Sequence, residues 1–159
     1  MMIEIKTYNN TNFSKEYFFS LMQKVNIFFS PPISDSIDLK AYSEKLYIYA
    51  YFVIALKDDE VIGFTAFYKN NETKQLYIPI ICVNPNSQSE GIGGRMLQTL
   101  EHMSSEGFNC IGLEVRKKNE KAYMFYKKHG FEIIGFDLYA YSNDDQKLHE
   151  VRIEMGKKR

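Results

Sequence analysis

The stretch Val83-Asn84-Pro85-Asn86-Ser87-Gln88-Ser89-Glu90-Gly91-Ile92-Gly93-Gly94-Arg95-Met96-Leu97 restricts the fold more than any other part of the chain. An apolar run from Leu76 to Val83 stops at Asn84-Pro85, where proline removes a backbone donor and sets φ. A polar loop follows, then Gly91, Gly93 and Gly94, then an amphipathic pattern at Met96, Leu97, Leu100 and Met103. Strand, glycine loop and helix N-terminus in that order let bare backbone N–H groups converge on a phosphate. Glycine permits the close approach, so a bulkier residue at Gly91 or Gly93 is expected to block the ligand and leave the fold intact. Two phosphate loops are excluded by spacing. A dinucleotide fingerprint needs a third glycine at position 96, which is methionine, and a P-loop needs Gly-Lys-Ser/Thr after the first glycine.

A chain of 159 residues suits one domain, expected here to span residues 1–159. Twenty basic residues balance 20 acidic ones, so no global field draws the chain to nucleic acid or an anionic membrane. No apolar run is long enough for a spanning helix, and the alternating N-terminus does not read as a signal peptide. Cys82 and Cys110 read as small buried residues in a reducing compartment, which points to the cytoplasm. His102, His129 and His149 lack the spacing and company of a metal site, and no metal is expected. His102 and His129 instead fall near helix ends, where partial positive charge complements the macrodipole.

Along the chain, Met2 to Thr7 alternates as a first strand, and Ser14 to Asn26 carries a helical apolar stripe. Asp38 to Leu46 predicts a second helix, reached through the aromatic connection Asn26-Ile27-Phe28-Phe29 and Ser30-Pro31-Pro32. Tyr51 to Lys57 and Glu60 to Lys69 pair around Asp58-Asp59 as a hairpin. Gly63 and Thr65 inside the second strand would weaken it unless something passes close by. Gln75 to Val83 is a strand in which Pro79 marks an edge or a bulge. Later elements are a helix from Gly93 to about Ser105, a strand from Ile111 to Arg116, and a helix capped by Asn119 and ended by Gly130. Phe131 to Phe136 and His149 to Met155 form a C-terminal pair joined through Ser142-Asn143-Asp144-Asp145. The order implies a mixed α/β sheet with helices on both faces.

Gln88-x-x-Gly91-x-Gly93 resembles the pyrophosphate-binding signature of the GNAT superfamily of N-acetyltransferases, Gln/Arg-x-x-Gly-x-Gly/Ala. Downstream, Leu113 to Asn119 leading into Ala122-Tyr123-Met124-Phe125-Tyr126 and then Gly130-Phe131 is similar to that family's strand, asparagine, tyrosine-bearing helix and Gly-Phe. The likeness covers residues 76 to 136, with a looser match at Glu60 to Phe64. It implies a central, mostly antiparallel twisted sheet whose middle strands splay, with helices on both faces. It also implies acetyl-CoA as co-substrate, its pantetheine arm lying in the splay against β-strand backbone.

By this resemblance Ile81, Cys82 and Val83 face the pantetheine, and Gln88, Ser89, Glu90, Gly91, Ile92, Gly93 and Gly94 surround the pyrophosphate. Ser89 departs from the commoner Arg or Lys, and Glu90 puts a negative charge beside the phosphates. Asn119 contacts the coenzyme near its thiol end besides capping a helix. Tyr126 takes the family's place for the phenol that protonates the leaving thiolate, with Tyr123 as rival. Glu114 matches the base of ribosomal-protein alanine acetyltransferases, whose local string resembles Leu113-Glu114-Val115-Arg116; a solvated strand carboxylate is the alternative.

The implied reaction moves an acetyl group to a primary amine of a small molecule or protein by direct attack on the thioester. The competing possibility is a non-catalytic acyl-CoA-binding or regulatory domain with the same fold. For the acceptor, Phe28, Phe29, Tyr68 and Tyr139, with Tyr42, Tyr49 and Tyr51, fall in segments the family uses for substrate and suit a compact amine. A homodimer is left open.

Overall fold

The computed structural model describes residues 2–116, 119–143 and 146–158, with the side chains of residues 89, 136–154 and 158 outside the described set. The elements run β1 (Ile3–Tyr8), α1 (Lys15–Asn26), α2 (Leu39–Tyr49), β2 (Tyr51–Lys57), β3 (Glu60–Asn70), β4 (Gln75–Val83), α3 (Ile92–Ser104), β5 (Cys110–Arg116), α4 (Glu120–Lys128), β6 (Glu132–Asn143) and β7 (Gln146–Lys158). Short 3-10 turns occupy Ile33–Asp35 and Pro85–Glu90, so the segment before the glycines is wound, not the open polar loop that its composition suggests. The C-terminal strands are longer than their apolar cores indicate. Asp144 and Asp145, in the predicted turn between them, lie outside the described residues.

The strands form one sheet in the order β1-β2-β3-β4-β5-β7-β6. Every pairing is antiparallel except β4 with β5. Local chemistry accounts for the first hairpin. Asp58 and Asp59 both adopt left-handed φ, 52° and 63°, as a two-residue primed turn requires to match the strand twist. Ser14, Asp38 and Asn119 cap α1, α2 and α4, each accepting a hydrogen bond from the N–H three residues on, at 3.1 Å. Gly130, at φ 90°, ends the last of these helices in the conformation that glycine permits.

Two cores flank the sheet. On one face α1 and α2 bury Phe18, Leu21, Met22, Val25 and Leu46 against Phe52, Ile54, Phe64 and Ala66. On the other, α3 buries Ile92, Met96, Leu97 and Leu100 against Val53, Ala55, Ile62, Phe67 and the inward residues of β5. Strand alternation sorts the residues: Phe52 and Ile54 go to the first core, Val53 and Ala55 to the second. Among the described residues no helix is long and apolar enough to cross a membrane.

β4 breaks this alternation at Pro79. Leu76 and Ile78 belong to the α3 core, whereas Ile80 and Cys82 belong to the α1/α2 core. The register with β3 steps from Tyr68–Tyr77 to Ala66–Ile80, so Ile78 and Pro79 together oppose Phe67. One extra residue turns the rest of the strand over, which is what a bulge does. Proline is tolerated there because the ladder is already interrupted.

Gly63 has the packing reason its place in a strand calls for. A Cβ built on it would lie 3.0 Å from Ile92 Cγ2 and 3.2 Å from both Ala55 Cβ and Met96 Cε. The start of α3 therefore rests directly on β3. Gly63→Val is expected to destabilise the chain by about 1–3 kcal/mol through overpacking. Urea unfolding monitored by circular dichroism checks this, and an unchanged midpoint would refute the close contact.

Candidate functional site

The bulge at Pro79 opens the sheet. The parallel ladder between β4 and β5 runs from Gln75–Cys110 to Ile78–Leu113 and ends there. Both strands continue, β4 to Val83 and β5 to Arg116. On its other edge β4 stays paired with β3 as far as Gly63–Val83. Ile81, Cys82 and Val83 thus present one backbone edge to a gap where no strand pairing is made among the described residues. An unpaired strand edge of this kind accepts a guest chain carrying amide groups.

The glycine segment closes one end of the gap. Asn84 N–H donates to Ile62 O at 2.7 Å, and Asn84 Oδ1 accepts from Asn86 N–H at 3.0 Å, anchoring the 3-10 turn. Gly91 then takes φ 72° and α3 begins at Ile92. Unlike α1, α2 and α4, this helix has no side-chain cap; its first intrahelical bond is Arg95 N–H to Gly91 O. The N–H groups of Ile92, Gly93 and Gly94 precede that bond, so the positive end of α3 is left for an anion.

The glycines divide their roles differently from the sequence-based expectation. A Cβ on Gly91 would meet nothing within 4 Å, so that residue is needed for its left-handed φ. A Cβ on Gly93 would lie 2.9 Å from Phe125 Cζ, and one on Gly94 would lie 2.7 Å from His129 Cε1. These two glycines therefore let α3 and α4 approach, and a bulky residue at Gly93 would disturb the fold as well as any ligand. That corrects the expectation of an intact fold. Gln88 Oε1 accepts from Lys121 Nζ at 3.1 Å, and Glu90 pairs with Lys57 Nζ at 2.7 Å. Lys57 and Lys121 each lie 33 residues from these partners, so no local pattern could have pointed to them.

Tyr126 projects from α4 into the α3-side core, stacked edge-on against Phe125 and Phe131 and only 8% exposed. Its hydroxyl makes no hydrogen bond with any described residue, which is uncommon for a buried polar group. Burial raises its pKa well above the usual 10, with Cys82 adding to the effect. Cys82 belongs to the other core, where burial pushes its thiol up against an opposing backbone hydrogen bond from Phe64. Tyr126 stands on α4, the helix that follows the end of β5 beyond its ladder with β4. Tyr42, Tyr68 and Cys82 share the α1/α2 core, and there the Tyr42 phenol has its pKa raised first by burial and then by Tyr68, Tyr77 and Cys82.

Glu114 is half-buried on β5, on the face opposite Leu113 and Val115 and level with Glu154 of β7. Tyr123 is half-buried and carries Lys127 over its ring at 5.8 Å, a surface-side arrangement unlike that of Tyr126. Phe28, Phe29, Tyr42 and Tyr68 are partly buried against the α1/α2 core. Tyr51 does not join them: it packs with the α3 core, stacked on Phe67 beneath Lys69. Tyr49 is 68% exposed at the end of α2. The side chain of Tyr139, on β6, falls outside the described set.

Comparison with known proteins agrees with this geometry. The acetyltransferase (GNAT) family profile matches residues 18–131, reaching well upstream of the glycine segment. The chain belongs to this family. No curated protein matches it by sequence. Among solved structures, the ribosomal-protein-S18-alanine N-acetyltransferase from Escherichia coli superposes with a TM-score of 0.74 over 99% of this chain and 94% of that one, at 18% identity. A putative streptothricin acetyltransferase from Bacillus anthracis, in complex with acetyl coenzyme A, reaches 31% identity and a TM-score of 0.61 over 70% of this chain and 63% of that one. Nourseothricin acetyltransferase gives 25% identity and 0.61 over 69% and 65%.

Two measurements follow from the packing and the buried phenols. Gly93→Val should lower stability by about 1–3 kcal/mol, and adding Phe125→Ala should return part of that loss. Additive losses in the double variant would show that the two residues do not touch. Above about pH 10 the unfolded chain loses phenolic protons that Tyr42 and Tyr126 keep in the fold. The folded state then binds more protons than the unfolded one, so stability falls as pH rises past that point. Urea midpoints from pH 8 to 10.5 should fall less steeply in Tyr126→Phe than in the native chain.

Proposed function

We propose that this chain transfers an acetyl group from acetyl-CoA to a primary amine by direct attack on the thioester. The observation that carries the reading is the buried Tyr126 hydroxyl, left without a described partner on α4, the helix that follows the end of β5 beyond its ladder with β4. Bound acetyl-CoA supplies the electrophilic carbonyl and a thiolate leaving group. The β4 edge from Ile81 to Val83 offers amide groups to its pantetheine arm, and the uncapped start of α3 offers N–H groups to its diphosphate. Gly91 supplies the turn that aims them. Asn119 fixes the first turn of α4, and with it the depth of Tyr126. The acetyl-CoA complex of the 31% identical relative supports the same donor here.

Acyl transfer forms a C–N bond and breaks the C–S bond, so one proton must leave the amine and one must reach sulfur. Tyr126 donates to sulfur; its raised pKa means that it holds that proton throughout the neutral range. Glu114, half-buried on the opposite strand of the gap, accepts the amine proton directly or through water, and proton exchange with solvent restores both groups. The acceptor enters from the α1/α2 side, where Phe28, Phe29, Tyr42 and Tyr68 form an aromatic surface suited to a compact amine. The names of two relatives, acetyltransferases of streptothricin and of nourseothricin, favour a small molecule over a protein amino group. Cys82 and Cys110, which form no disulfide, fit work in the cytoplasm.

Thiol release from acetyl-CoA, screened against aminosugars, polyamines, amino acids and short peptides, tests the reading. Tyr126→Phe is expected to lower turnover by about 10²–10⁴ with acetyl-CoA affinity unchanged. Loss in Tyr123→Phe with full activity in Tyr126→Phe would move the role to the neighbour. Tight acetyl-CoA binding without thiol release for any amine would instead mark a binding domain.

A further inference from the structure

Among the described residues of the glycine loop itself, Asn84 to Gly94, none brings a cation to the start of α3. Position 89 is serine, and Glu90 brings a negative charge that Lys57 neutralises at 2.7 Å. Lys57 and Glu90 therefore cancel, leaving the loop with helix-end N–H groups and no net positive charge from its own residues. A diphosphate bound there by amides alone would keep its charges uncompensated in a partly desolvated place.

Lys121 stands where that charge is missing. It is the second residue of α4, whose first turn is fixed by the Asn119 side chain accepting from Ala122 N–H at 3.1 Å. Its Nζ reaches across to Gln88 Oε1 at 3.1 Å, bridging α4 and the glycine segment. An ammonium has three donors and the amide oxygen takes one, so two remain. The contact also occupies the acceptor of Gln88, leaving its NH₂ group as a donor. Both groups belong to an exposed rim, open to a ligand and held in place by each other.

We propose that Lys121 is the cation for the coenzyme's diphosphate, oriented by Gln88, and that α4 thereby provides what the loop lacks at Ser89. This rests on the reading that the loop binds coenzyme A. It makes α4 two-sided: Tyr126 serves the thioester end and Lys121 the diphosphate end of one ligand.

Calorimetric titration of the full chain with coenzyme A and with 3′-dephospho-coenzyme A tests the assignment. Lys121→Gln should weaken both ligands by the same factor, about three- to thirtyfold, the range for one charged hydrogen-bonding group at a partly exposed site. The difference between native and variant affinity should shrink as salt is raised. Adding Ser89→Arg to Lys121→Gln should restore most of the affinity, which a merely structural lysine would not allow. Unchanged affinity in Lys121→Gln overturns the proposal. A loss confined to coenzyme A, with its dephospho form unaffected, also overturns it by moving the contact to the 3′-phosphate. Failure of the native chain to bind either ligand would instead remove the coenzyme reading itself, and the proposal with it.

Discussion

The extra residue at Ile78-Pro79 is the feature on which the site depends. Up to Ile78, β4 is an ordinary sheet member, paired with β3 on one side and β5 on the other. Past Pro79 the strand has turned over, sending Ile80 and Cys82 to the α1/α2 core and Ile81 and Val83 toward α3. The ladder with β5 stops at the same point. A continuous sheet would have satisfied those backbone groups internally and left nothing for a ligand to pair with. The irregularity at Pro79 thus leaves one edge of β4 open beyond Ile78.

The helices on the α3 side hold the rest of the site against that slot. Removal of side chains at Gly63, Gly93 and Gly94 lets β3, α3 and α4 approach one another closely. The effect is to set the uncapped end of α3, which follows β4, against α4 and its buried Tyr126. The energetic cost sits in the buried hydroxyl, which lacks a described partner, and in a helix start without a capping side chain. Natural chains tolerate such locally unfavourable choices where a ligand completes them.

Charge at the mouth is arranged by pairs drawn from distant segments. Glu90 would oppose an anion, but β2 supplies Lys57 to it; Gln88 carries no charge, but α4 supplies Lys121 to its amide oxygen. Residues far apart in sequence therefore set a local potential that the loop composition misrepresents. The same holds for the aromatic residues. Tyr42 and Tyr68 share the α1/α2 side with Cys82, whereas Tyr51, chosen by the same compositional logic, packs on the opposite face of the sheet.

Much of the fold was legible because short-range chemistry decides it. The apolar stripe after Ser14, the Asp58-Asp59 turn, the Asn119 cap and the Gly130 stop each act within a few residues, and each appears where the sequence puts it. The glycine signature and the Asn119 to Tyr126 spacing likewise announced the family and its helix. Sequence also marked Pro79 as an interruption. Only the tertiary structure decided that the interruption is a bulge that reverses the faces of β4, because register depends on which strand lies opposite. The purpose of Gly93 and the neutralisation of Glu90 were hidden for the same reason: each depends on a side chain from another element, and sequence distance carries no record of which elements come to touch.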